Sequence, residues 1–155
     1  MKAWIQEEFG SNEVLKIAEV TDPMPLDDEV LIKVHCASIN PVDWKIRTGG
    51  TVTNAVPYEF PIVLGWDAAG TVLAVGADVT DFNPGDPVFT YCRKPTIQWG
   101  SFAEKLVMGA QFVAHCPDEL TYAQAAAVPL ASLTAWQGLH THAGLKEAET
   151  ILVQG

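Results

Sequence analysis

Basic residues are scarce in this chain. Nine Lys and Arg stand against nineteen Asp and Glu among 155 residues, a formal charge of −10. Binding to phosphate needs clustered cations, so the composition argues against a nucleic-acid partner and equally against an acidic membrane surface. Long hydrophobic runs are missing too. None reaches the roughly 18–20 uninterrupted apolar residues of a spanning helix. The first ten residues, MKAWIQEEFG, carry charge where a secretory leader has its apolar centre, so the expected address is cytoplasmic. Cysteines are few and odd in number. Cys36, Cys92 and Cys116 lie far apart, as suits reduced thiols, and no Cys-x-x-Cys pair offers a structural metal site. Wholesale disorder is excluded, because 48% of the residues are apolar and only 18% charged.

Short apolar runs between turns dominate through about residue 116. They comprise Leu31 to Val34, Ile62 to Leu64, Gly70 to Val75, Val88 to Tyr91 and Phe102 to Val107. Asp22-Pro23, Gly49-Gly50 and Asn83-Pro84-Gly85-Asp86 punctuate them with turn chemistry. In 29–39, Val30, Ile32 and Val34 alternate with Leu31 and Lys33, the period of a half-buried strand. Gly70 and Gly76 read as points of close chain approach, and Asp67 as architecture.

Near residue 120 the pattern changes. Thr121 and Gln124 have the spacing of a capping box. An alanine-rich helix follows, and Pro129 can open a second helix that runs through Leu133 and Trp136 to about Leu139, with Gly144 as its stop signal. The last seven residues, ETILVQG, read as a buried parallel strand entering a glycine turn. Such a strand needs cover on both faces and neighbours on both edges. The expectation is therefore a chain cut at a domain boundary; the alternative is a final strand that pairs back into the β domain.

Three segments together carry a family resemblance: Ser38-Ile39-Asn40-Pro41-Val42-Asp43-Trp44-Lys45-Ile46-Arg47-Thr48-Gly49, PIVLGWDAAGTVLAVG over 61–76 with its turn at 81–86, and AAVPLASLTAWQ over 126–137 ahead of ILVQG. In this order they resemble the medium-chain dehydrogenase/reductase superfamily, and most nearly its zinc-free quinone oxidoreductase and enone reductase branch, related to zeta-crystallin. The resemblance implies a mainly β fold with some α: a GroES-like, partly open β barrel over 1–128, a connecting helix region over 129–149, and the start of a truncated Rossmann domain over 150–155. It implies NADPH as cofactor, a quinone or α,β-unsaturated carbonyl as small-molecule substrate, and a homodimeric parent. The isolated chain is then expected to be inactive. The competing readings are a non-enzymatic GroES-like binding module and a truncated gene product.

The same alignment places the catalytic zinc-ligand positions of the metal-dependent members on Asn40, Trp66 and Leu130. None of these supplies thiolate or imidazole, so no zinc is expected. The histidines offer no substitute, since His35-Cys36 and His115-Cys116 are strand neighbours that point to opposite faces.

Asn40 and Lys45 are the candidate catalytic and cofactor-binding residues. Asn40-Pro41-Val42-Asp43 is a sound helix start, with Asn40 as N-cap and Asp43 complementing the positive end. The resemblance implies that this helix faces the nicotinamide, where Asn40 can donate to a substrate carbonyl or position the ring. Lys45 can orient the cofactor ribose or stabilise charge on a substrate oxygen; otherwise it is a solvated helix lysine. Trp44 and Trp66 are the candidate walls of an apolar substrate slot, with ordinary core packing as the other account. Thr134 matches a cofactor-binding position, although a helical Thr commonly bonds its own backbone.

Overall fold

The computed structural model describes residues 1–154. Two sheets share the β-rich part. One, ordered β2-β1-β4-β7, contains β2 (Lys16–Glu19), β1 (Lys2–Gln6), β4 (Tyr58–Val63) and β7 (Ile97–Trp99). The other, ordered β8-β3-β5-β6-β9, contains β8 (Lys105–Gly109), β3 (Glu29–Ala37), β5 (Asp67–Val75), β6 (Pro87–Tyr91) and β9 (Val113–His115). Every pairing is antiparallel except β4 with β7. Between the β3 and β4 strands lie two short helices, α1 (Pro41–Arg47) and α2 (Thr51–Ala55). Two more, α3 (Tyr122–Ala126) and α4 (Pro129–Trp136), follow the strands.

The alternation read from 29–34 is present: Val30 and Ile32 are fully buried with Val72, Phe82 and Val88 as one core cluster. A second cluster, Ile46, Ile62, Leu64 and Ile97, sits under α1 and takes in Trp66, Phe9 and Phe102 at its edges. Small residues seat α3 on the large sheet, where Ala125 and Ala126 meet Ala69 and Cys116. The expected capping box also forms, with the Gln124 N–H donating to Thr121 Oγ1 at 3.3 Å and the Thr121 N–H to Gln124 Oε1 at 3.0 Å.

Several expectations shift. The run Phe102 to Val107 enters the ladder only at Lys105, while Phe102 to Glu104 bridge the two sheets through Trp4 N–H to Phe102 O and Val34 N–H to Glu104 O. The second helix runs on as a π-helical turn over Gln137–His142 and ends before Gly144, at φ +61°. Residues 150–154 form no strand, and Leu152 and Val153 are 83% and 78% exposed. A two-faced apolar strand forms only where others cover it, and among the described residues none does. Gly155 lies outside the described residues. No helix among the described residues is long and apolar enough to cross a membrane.

Gly70 permits the central pairing. A Cβ there would lie 1.9 Å from the Lys33 carbonyl oxygen, which is backbone and cannot yield. Gly70→Ala is expected to destabilise the chain by about 3 kcal/mol. Gly138→Ala, with nothing within 4 Å, should be neutral or gain about 0.5–1 kcal/mol. Urea midpoints of the two variants check the contrast; equal midpoints would remove the close approach from the account.

Candidate active site

The sheet register builds the site. At the end of β3, Ala37 pairs with Ala68, so Ser38 emerges beside Asp67, the first residue of β5. A register shift between Val34 and Cys36 re-aims this end of the strand. Asp67 is completely buried. Its Oδ2 accepts from Ser38 Oγ at 2.8 Å and from Asn40 Nδ2 at 2.8 Å. Its Oδ1 accepts from the Leu130 N–H at 3.0 Å. Leu130 stands in the first turn of α4, whose N-cap residue Val128 has no side chain able to bond. Asp67 therefore satisfies a helix N-terminus from sixty-three residues away and places its charge at the positive end of the helix.

Asp43 is the second buried carboxylate, 3% exposed. Its Oδ2 accepts from the Asn40 N–H at 2.7 Å and its Oδ1 from the Gly65 N–H at 3.1 Å. Asn40, in extended conformation ahead of Pro41 at the first helical position, thus hangs between two acids. Its backbone donates to Asp43 and its side chain to Asp67. Burial pushes the Asp43 carboxyl up from 3.8 to about 6; the two backbone donors oppose this rise, and the Asp67 charge adds to it.

α1 buries Asp43 and Ile46 and turns Trp44 and Lys45 outward. The Lys45 ammonium lies 5.7 Å from the Trp44 ring centre, within cation–π range. Among the described residues no carboxylate forms an ion pair with it. Trp66 is half-buried against the Ile46 and Ile62 cluster, so it does pack as core. Its ring also meets Tyr91 edge-on at 6.1 Å and carries the Arg93 guanidinium at 6.0 Å. Thr134 lies one turn beyond Leu130 and donates its hydroxyl to the Leu130 carbonyl at 2.8 Å.

The structure thus gathers Asn40, Leu130 and, through its neighbour Asp67, Trp66 around one carboxylate. Trp44 and Lys45 share a helix with Asn40 but face outward. Of three cavities, of about 530, 630 and 370 Å³, none is lined by Asn40, Trp44 or Lys45, although the third reaches Tyr91 and Pro129 at the start of α4. The candidate site is an open face. Sequence reasoning missed the part played by Asp67 and Ser38, and it missed Tyr91 and Arg93; only the acidic residue directly after Trp66 gave a signal. Burial holds the Cys92 thiol well above its ordinary range, with the Asp67 charge adding to this, which leaves it a poor nucleophile.

The three gathered positions offer a carboxamide, an indole and a leucine, and Asp67 is already bonded to three donors. Among the described residues no group of three His, Cys, Asp or Glu is placed to hold an ion. The residues do not fit a tetrahedral zinc.

Comparison with known proteins adds the following. The family described as Alcohol dehydrogenase GroES-like domain matches residues 26–118. The NAD(P)H oxidoreductase RTN4IP1, mitochondrial, of Bos taurus is 38% identical across 95% of this chain and 40% of its own length. The 2-methylene-furan-3-one reductase of Solanum lycopersicum is 40% identical across 100% of this chain and 40% of its own length. The crystal structure of Escherichia coli quinone oxidoreductase complexed with NADPH superposes with a TM-score of 0.79 at 29% identity, over 90% of this chain and 40% of that one. The chain spans about two fifths of the length of these relatives.

Asp43 gives the site a pH signature. Its carboxyl holds a proton more tightly in the folded state than the ordinary 3.8 of an unfolded chain. That contribution to stability is complete below about pH 4 and is lost as pH rises through about 6. At about 1.4 kcal/mol per unit, the loss is about 3 kcal/mol. Asp43→Asn should remove this slope, so that the stability difference between wild type and variant shrinks from pH 4 to 7. Denaturant titrations across that range check it, and parallel profiles would refute the assignment.

Proposed function

The chain belongs to the alcohol dehydrogenase GroES-like domain family, and on that footing we propose that it is the substrate-side domain of a zinc-independent, NADPH-dependent reductase of quinones or α,β-unsaturated carbonyls. The observation that carries this reading is the donor set around Asp67, which contains N–H and O–H groups and no metal-ligand array. Without a Lewis acid nothing strong polarises an isolated carbonyl or acidifies an alcohol. A conjugated acceptor needs less help, because the incoming electron pair delocalises. The names of two relatives, a furanone reductase and a quinone oxidoreductase in complex with NADPH, support the same substrate class.

Bound NADPH supplies the hydride. This chain's residues position the partners and receive developing charge. Lys45, exposed on α1 and free of ion pairs among the described residues, has two roles open to it: orienting the cofactor ribose or stabilising the substrate oxygen as it becomes negative. Trp44 and Trp66 provide flat apolar surface for a planar acceptor. Asn40 stands at the start of the same helix, fixed by two acids. Thr134 keeps acceptor capacity after donating to its own helix, enough to bind a donor on the cofactor.

The test is NADPH oxidation by a polypeptide that carries this chain together with a dinucleotide-binding domain. Turnover is expected with a naphthoquinone or an enone, should persist after treatment with a zinc chelator, and should be absent with simple unconjugated ketones. Lys45→Ala is expected to lower kcat/KM by about tenfold or more, the loss of one charge-assisted contact. A protein that binds NADPH and reduces neither acceptor class would overturn the proposal.

A further inference from the structure

Nine Lys and Arg residues carry all the basic side-chain charge of this chain, and three of them are drawn away from water: Arg47, Lys94 and Lys105. Two of the three are satisfied. Arg47 donates to the Gly10 carbonyl and to Asn12, and Lys105 pairs with Asp22. Lys94 has three donor hydrogens but, among the described residues, neither an ion pair nor a side-chain hydrogen bond. Burial pulls its ammonium below the ordinary lysine range, and the Glu29 charge, followed by Cys92, opposes this only in part. Glu29 itself accepts from the Leu26 N–H at 2.9 Å. A half-buried cation without a partner is costly, and a lysine on its flexible stem ordinarily escapes that cost by reaching water or an anion.

Lys94 lines the cavity of about 530 Å³. That cavity lies at the seam of the two sheets, with Val63 of β4 and Trp99 of β7 on one side and Leu106 and Val107 of β8 on the other. Its other charged side chains are accounted for. Lys105 and Asp22 pair with each other, Asp22 also accepts from the Met1 amino group, and Glu19 is exposed on β2. Lys94 is therefore the one half-buried charge in the cavity without a partner among the described residues. None of Asn40, Trp44, Lys45, Trp66 and Thr134 lines this space, which sets it apart from the open face described above.

We infer that this cavity is a second ligand site and takes a small amphipathic monocarboxylate. The carboxylate bonds the Lys94 ammonium, and the apolar body lies against Val63, Trp99, Leu106 and Val107. The volume is that of small-molecule sites, whose walls are mostly apolar with a few polar groups to fix orientation. These walls call for an apolar body. The single unpaired cation calls for one negative charge, because the second lysine of the cavity is already neutralised by Asp22. A phosphate dianion needs several cations or a row of backbone N–H groups. The inference stands independently of the reductase reading.

Octanoate and 1-octanol, equal in chain length and different in charge, test it in titrations of the 155-residue chain labelled with nitrogen-15. Octanoate should shift the Trp99 indole signal and the backbone amides of Leu106 and Val107. It should also bind at least about tenfold more tightly than octanol. Lys94→Met keeps an apolar stem and removes the charge, so it should bring that ratio close to one with the backbone spectrum still folded; Lys94→Arg should retain the preference. Equal affinities in the wild type, a preference that survives in a folded Lys94→Met, or shifts centred instead on Trp4 and Ile17 in the cavity of about 630 Å³ would overturn the site. The wild-type comparison decides by itself should Lys94→Met not fold. The octanoate titration is repeated on the polypeptide that also carries a dinucleotide-binding domain. The same Trp99 shift is expected there, and its loss would overturn the site by showing that the rest of the protein fills the cavity.

Discussion

One buried carboxylate joins the parts of this domain that otherwise have no reason to meet. Asp67 opens the central strand of the larger sheet, and its two oxygens hold the segment after β3 and the first turn of α4. An isolated carboxylate taken from water into a protein interior is heavily penalised. Here the compensation comes from three short hydrogen bonds and the positive end of a helix, without any cation. The arrangement is all or nothing. Removing one donor leaves an unsatisfied charge in a place with no exposed surface, so the three segments are constrained to move together.

Asp43 is buried as well, with fewer donors. It accepts only two backbone donors, lies near the first acid, and has its carboxyl pushed up to about 6. Burial first, and then the nearby Asp67 charge, disfavour the ionised form of Asp43. Asn40 lies between the two acids and bonds to each through a different group, its backbone to one and its amide to the other. The positions that hold this residue are thus fixed by electrostatics as much as by packing. The apolar cluster of Ile46, Ile62, Leu64 and Ile97 beneath α1 provides the rigid floor on which that balance is set.

Much of this was legible in the sequence wherever the signal was local. The alternation over 29–34, the Thr121–Gln124 box, Pro129 at a helix start and the close approach at Gly70 are each written within a few residues, and each is present. The strands β1, β2, β7 and β9 were not read. They are three to five residues long and lie in polar or mixed stretches where period-2 patterning has no length in which to show. ETILVQG has the composition of a covered strand without the cover, as expected of a cut chain: 151–154 are exposed and unpaired, and the chain spans about two fifths of its relatives' length. Asp67 was read only as architecture. Its bonds reach back to Ser38 and forward to Leu130, and nothing in a linear pattern announces a helix cap held by a residue so far away.

The polarity of Asn40 is the sharpest case, because a residue type alone leaves it undecided. A carboxamide can present either end, and a reading from motif favours the donor simply because substrates carry carbonyls. The neighbours fix which end faces Asp67. An acid on one side and a hydroxyl already committed to that acid on the other leave room for hydrogens and none for a second oxygen. On the proposed reading, the groups with charge to stabilise a substrate oxygen are the cations seated beside an exposed or half-buried indole, Lys45 over Trp44 and Arg93 over Trp66. The buried acids hold the start of α1, and among the described residues no ion pair joins them to either surface cation.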